Sequence, residues 1–164
     1  MSMGLVFNGS FFGPPASGAN LGSVIDKAVS SGFPLLSRPF HRPFQYIGLR
    51  VADVVAETGG TINAGGNVIV ESADCRMVLW AEGSMIGSVD AELPGTAGRI
   101  PPGEFDPDPV LGAFSINPAE LQPVRRQAHC HSYYDHRRGL KVFVMRDEER
   151  APLRIGFSAK YYGK

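Results

Sequence analysis

Proline is placed along this chain of 164 residues so as to restrict where a sheet can form. Five of the 13 prolines fall by position 43, none lies between 44 and 93, and five more crowd positions 94–109. A central strand cannot spare the N–H that proline lacks, so a continuous sheet belongs in the proline-free window. That window reads as strands. "QYIGLRVADVVAE" alternates through Ile47, Leu49 and Val51, with Val54 on an offset face. "GNVIVES", "RMVLWAE" and "SMIGSVDAE" are short β-branched or aromatic runs separated by "TGGTINAGG", "SADC" and "EGS". The pattern predicts an antiparallel meander with short turns.

Upstream, "NLGSVIDKAVSSG" is the one convincing helix, with Asn20 or Ser23 as N-cap and Gly32 as its stop. It is followed by a tandem repeat, Arg38-Pro39-Phe40-His41 and Arg42-Pro43-Phe44-Gln45. Each proline pushes its predecessor into extended backbone, so the stretch is expected as an arm near polyproline II geometry. Arg38, Phe40, Arg42 and Phe44 then become interaction residues. The arm has two destinations: a neighbouring subunit, or the surface of its own sheet. The chain divides into an arm with a short helix, residues 1–45, and a β domain, residues 46–164. The latter carries a long acidic Pro/Gly loop at 90–109.

Beyond that loop, "VLGAFSI" is a strand candidate, residues 124–146 read as a β-hairpin turned at Gly139, and "LRIGFSAKYY" is the closing strand. The fold class expected is mainly β: an antiparallel sandwich or barrel of roughly eight to ten strands, with one short N-terminal helix and the Pro/Phe-rich arm. No run approaches the roughly 18 apolar residues of a membrane-spanning helix. "MSMGLVFNGSFFGPP" lacks the basic start of a signal peptide. A soluble protein made in the cytoplasm is the expectation, and Cys75 and Cys130 are too few for a disulfide framework.

The net charge of zero hides an asymmetry. Residues 1–120 carry 6 basic and 12 acidic side chains, whereas residues 121–164 carry 10 basic and 4 acidic. A basic segment beside an acidic body suits nucleic acid, a membrane, or a second copy of the same body, and overall neutrality favours the last.

Candidate chemistry is concentrated in "RRQAHCHSYYDHRRG", residues 125–139. On a strand His129 and His131 share a face, the arrangement by which a His-x-His pair grips one metal ion, and Asp135 or His136 is available as a third ligand. "HCHSYYDH" resembles the His-x-His-x-Asp-His motif of the metallo-β-lactamases but carries two extra residues before Asp135. It is also similar to the cupin pattern, except that Pro123 stands where that pattern has glycine. Neither function is carried over. The alternative is a surface hairpin whose polar face presents His129, His131 and Tyr133. In the acidic loop, Pro107 and Pro109 spoil Asp106 and Asp108 as calcium ligands. Cys75 reads as a buried thiol. Arg125, Arg126, Arg137 and Arg138 bracket Tyr133 and Tyr134, a combination suited to single-stranded nucleic acid, but acidic residues interrupt it.

No catalytic set is complete and no cofactor is implied. The expected function is a non-enzymatic structural module that self-associates or joins other subunits of a larger assembly. By analogy of architecture, this means a viral or phage particle component such as a capsid-decoration or tail protein. The alternatives are a small metal-dependent β-barrel enzyme using the His129/His131 hairpin and a single-stranded nucleic-acid binder.

Overall fold

A computed structural model describes residues 20–159. It is mainly β. Eight strands, all paired antiparallel, form one open sheet: β1 (Thr61–Ile62), β2 (Val68–Glu71), β3 (Arg76–Glu82), β4 (Met85–Leu93), β5 (Gln122–Gln127), β6 (Cys130–Asp135), β7 (Leu140–Met145) and β8 (Leu153–Ser158). Their order across the sheet is β1-β2-β3-β4-β8-β7-β6-β5. The β-rich expectation holds, but among the described residues the sheet neither closes into a barrel nor faces a second sheet. The stretch 124–146, expected as one hairpin, spans three strands, because a second turn at residues 128 and 129 separates β5 from β6.

One face of the sheet is apolar because side chains alternate along a strand. Val68 and Val70, Met77 and Leu79, Val89, Ala91 and Leu93, Val142 and Val144, and Leu153, Ile155 and Phe157 are all buried on it. The described residues form three α-helices, α1 (Leu21–Ser30), α2 (Val51–Thr58) and α3 (Asp108–Ala113); α2, α3 and the segment from Phe33 to Ile47 pack against this face, and α1 packs on α3. On the opposite face, Val78, Asp90, Gly156, Phe143 and Ser132 line up across five strands.

Helix α1 forms where expected. The Asn20 carboxamide oxygen accepts from the Ser23 N–H at 2.8 Å, and the chain leaves the helix through Gly32 at φ +91. Its Ala28 packs against α3, where a Cβ on Gly112 would stand 2.8 Å from the Val24 carbonyl oxygen, so the two backbones touch. Two strand expectations are overturned. Part of "QYIGLRVADVVAE" is helix α2: Val51, Val54, Val55 and Thr58 have helical spacing, Asp53 lies in the first turn, and Gly59 caps the end with its N–H on the Val55 carbonyl. "VLGAFSI" is α3 and its exit, opened by Pro107 and Pro109, whose fixed φ suits a first helical turn.

The Pro/Phe stretch is not an extended arm. Pro43–Tyr46 is a 3-10 turn, and Phe40 and Phe44 lie in the chain's own core at 7% and 8% exposure. The Tyr46 hydroxyl donates to the Pro39 carbonyl at 3.1 Å, and the Ser115 hydroxyl to the His41 carbonyl at 2.8 Å. Aromatic rings buried at home are not available as anchors on a neighbour. The portion of the expected arm before residue 20 lies outside the described residues, as does the end of the expected closing strand beyond 159. Residues 90–93 of the expected acidic loop continue β4, and Thr96 fixes the loop's exit by donating to the Leu93 carbonyl and accepting from the Leu153 N–H.

Candidate functional site

Strand β6 carries four of the predicted site residues, His131, Tyr133, Tyr134 and Asp135, and its alternation sorts them. His131, Tyr133 and Asp135 point into the covered side and are buried, while Cys130, Ser132 and Tyr134 occupy the other face. The polar surface face expected for His131 and Tyr133 is therefore a buried one. His129 precedes the strand, half-buried in the turn.

The four candidate metal ligands go to four different partners. His129 Nδ1 accepts from Arg146 Nε at 3.4 Å. Asp135, with no exposed surface, accepts from the Arg138 backbone N–H at 3.1 Å and from its guanidinium at 2.8 Å, which ties the turn between β6 and β7. His136 pairs with the Gln122 carboxamide. His131 stands edge-on to Phe105, ring centroids 5.0 Å apart. Among the described residues no three His, Cys, Asp or Glu side chains converge to hold a metal ion. Only His131 and Asp135 lie on β6, His129 and His136 flank it, and each of the four is drawn to its own neighbour.

The basic residues are similarly engaged. Arg126 pairs with Glu104 at 3.2 Å and Arg137 with Glu120 at 3.1 Å. The guanidinium of Arg138 lies 4.5 Å over the Phe44 ring and that of Arg42 lies 5.4 Å over it. Arg38 stands beside Tyr46 and Glu57 in a shallow cleft. Arg125 is exposed on the edge strand β5. Tyr133 is buried, so it cannot pair with Tyr134 as a stacking surface. Cys75 is fully buried, and burial pushes its thiol up to about 12, far from a nucleophile's range.

A residue with no signal in the sequence organises the region. Arg146 is 1% exposed, yet its guanidinium faces carbonyls rather than a carboxylate. It donates to the Ile100, Pro101, Gly103 and Glu149 carbonyls at 3.3, 3.0, 2.6 and 2.9 Å, and it lies 5.5 Å over the Phe105 ring. Fixed planar donors suit such a cradle, and a buried guanidinium without them would be costly. The acidic loop is thereby stapled to the sheet and held against His131 through Phe105.

Stapling creates a cleft of about 240 Å³ between two walls. Strand residues Pro123, Arg125, Arg126, His131 and Tyr133 form one wall, while Asp106, Pro107 and Asp108 form the other. His131 is 2% exposed; its ring bonds the Phe105 backbone, and Nε2 has no partner. Burial, and then Arg126, hold its pKa below the usual 6.5, so the ring is neutral at pH 7. Partial burial and the adjacent Asp106 raise the Asp108 carboxyl, and burial pushes the Tyr133 hydroxyl up to about 12. Asp106 Oδ1 accepts from the Asp108 N–H at 3.0 Å, which fixes the acidic wall.

Neither a protein-family model nor a curated protein matches this sequence. Among solved structures there is partial likeness to a cysteine-rich secretory protein of Staphylococcus aureus subsp. aureus Mu50, at 12% identity and TM-score 0.39. It covers 72% of this chain and 46% of that one. An extracellular protein containing a SCP domain, from Bacillus anthracis str. Ames, gives 9% identity and TM-score 0.39, over 77% of this chain and 48% of that one. This chain thus spans about half the length of either protein. Likenesses this distant assign no residue a role.

Proposed function

We propose that this chain is a non-enzymatic structural module that associates with copies of itself or with other subunits of a larger assembly, such as a viral or phage particle. The supporting observation is the separation of charge along one sheet. Residues 50–93, which include α2 and β1–β4, carry two basic and seven acidic side chains. Residues 121–146, which include β5–β7, carry six basic and one acidic. Arg126, Arg137 and Arg138 pair with Glu104, Glu120 and Asp135 and Arg146 is buried, so the exposed basic charge there rests on Arg125 and Lys141. The sheet order places β1–β4 and β5–β7 on opposite sides of β8, so an asymmetry along the chain becomes one across the molecule.

A body with opposite charge at its two ends attracts its own copies head to tail, a contact that closes into rings or runs into filaments. Such attraction acts mainly on encounter and orientation, and it weakens as salt shortens the Debye length to about 8 Å at physiological ionic strength. The test is the solution molar mass from light scattering, over protein concentration and salt. A mass that rises with concentration and falls with salt is expected. A monomer mass under all conditions would remove self-association from the proposal.

A further inference from the structure

We infer that residues 99–106 form a strap that releases from the sheet on mild acidification, with His131 as the pin that lets go. Backbone hydrogen bonds fix both ends of this segment. The Gly98 N–H donates to the Arg150 carbonyl at 3.0 Å, and the Pro107 carbonyl accepts from the Leu111 N–H at 3.0 Å. Between these points, side chains from three successive strands pin the chain to the sheet. Arg126 on β5 pairs with Glu104, and His131 on β6 bonds the Phe105 backbone and meets its ring. Arg146, just past β7, holds the Ile100, Pro101 and Gly103 carbonyls. A segment held in this way can open without the sheet coming apart.

The two arginines stay charged throughout, so His131 is the pin that can change. Its ring is 2% exposed, and Nε2 has no hydrogen-bond partner. A second ring proton would therefore create a buried donor with no acceptor, on a ring that burial already keeps from carrying charge. The added charge would also face Arg126, the direct partner of His131 in the β5–β6 register. Glu104 and Asp106 on the strap and Asp108 on α3 pull the other way. Val144, opposite on β7, and Tyr133 on β6, whose hydroxyl is pushed up to about 12, add no charge. Burial and Arg126 prevail, and the enclosed ring titrates below 6.5. Lifting the strap gives the imidazole water and its ordinary value. The released form thus binds more protons between the two values, and falling pH shifts the balance toward it. Release bares the Phe105 ring, 5% exposed when the strap is down, together with the imidazole it covers. The strap works within one chain, whatever that chain assembles with.

Cleavage of the Glu104–Phe105 bond by a glutamyl endopeptidase reads the release, because Glu104 must leave Arg126 and Phe105 must leave the core before the bond can enter a protease. Rates for the full chain at pH 7.5, 6.5 and 5.5 are divided by those for a free peptide of residues 99–110, which leaves the open fraction. The normalised rate is expected to rise about three- to tenfold from pH 7.5 to 5.5, about tenfold being the ceiling for one imidazole released to 6.5. His131→Phe and His131→Leu, two replacements that do not titrate, are each expected to remove the rise. Cleavage after Glu92, on β4 between two paired strands, marks global unfolding. It is expected to be at least about tenfold slower than cleavage after Glu104 at every pH. The inference is overturned if cleavage after Glu104 is absent or independent of pH, if either folded His131 variant keeps the rise, or if cleavage after Glu92 keeps pace.

Discussion

Phe143 lies over Gly156 on the neighbouring strand so closely that a Cβ on the glycine would fall 2.1 Å from the ring's Cζ. The pair sits at the middle of the sheet's less covered face, where a side chain at 156 would lift the ring off it. Gly156→Ala is therefore expected to destabilise the fold by about 1–3 kcal/mol, the range for overpacking. Urea denaturation measures it. The loss is expected to shrink when Phe143→Leu is combined with it, since the two changes act on one contact.

Arg146→Met removes the donors from four carbonyls at once. Unsatisfied buried acceptors cost about 1–3 kcal/mol each, and partial solvation of the loosened loop offsets some of that. A loss of at least about 2 kcal/mol is expected. Amide exchange should accelerate first in residues 100–106, ahead of the β7 and β8 core. Arg146→Lys is not expected to restore stability, because an ammonium lacks the planar fork that reaches several carbonyls.

His131 also gives stability a pH dependence. Its native pKa is lowered from 6.5, by burial first and Arg126 second, so the unfolded chain binds more protons between the native value and 6.5. Stability from this residue is present above 6.5 and is lost as pH falls through the native value. His41 is lowered as well, by burial and then by Arg38 and Arg42, and acts in the same direction. Chemical denaturation between pH 7.5 and 5 should show falling stability, with a shallower slope in His131→Phe.

The proposed charge-driven assembly predicts a reciprocal result. Arg125→Glu with Lys141→Glu reverses charge near the basic edge, and Asp53→Lys with Glu57→Lys does so on α2; all four side chains are exposed. Each double variant alone should be monomeric by light scattering at low salt. An equimolar mixture of the two should associate, because each then presents the charge that the other lacks.

The sequence made some of this legible and hid the rest, for physical reasons. β2, β3 and β4 could be read because a half-covered antiparallel sheet imposes a two-residue repeat. α1 could be read because Asn20 and Gly32 carry start and stop chemistry in single residues. α2 was misread because Val51 and Val54 fit a strand when viewed from Ile47 onward; the offset at Val54 was the helical signal. Phe40 and Phe44 follow prolines that suggest extended backbone, but nothing local says which core will take their rings. His131 was flagged for its type, yet its burial comes from Phe105 and the loop held by Arg146. That loop's connection to the sheet spans more than 40 residues, a separation at which periodicity carries no information.

The position of β8 has a consequence for how the molecule is made. On a ribosome, β1–β4 emerge first, then β5–β7, each group joined by local pairings between successive strands. The strand that bonds both groups is β8, the last of the eight to be synthesised. Until it arrives, β4 and β7 each present a row of unsatisfied backbone groups and an apolar flank. The nascent chain is thus two half-sheets of opposite charge waiting for one insertion, and its greatest exposure to mispairing falls just before residues 153–158 clear the exit tunnel.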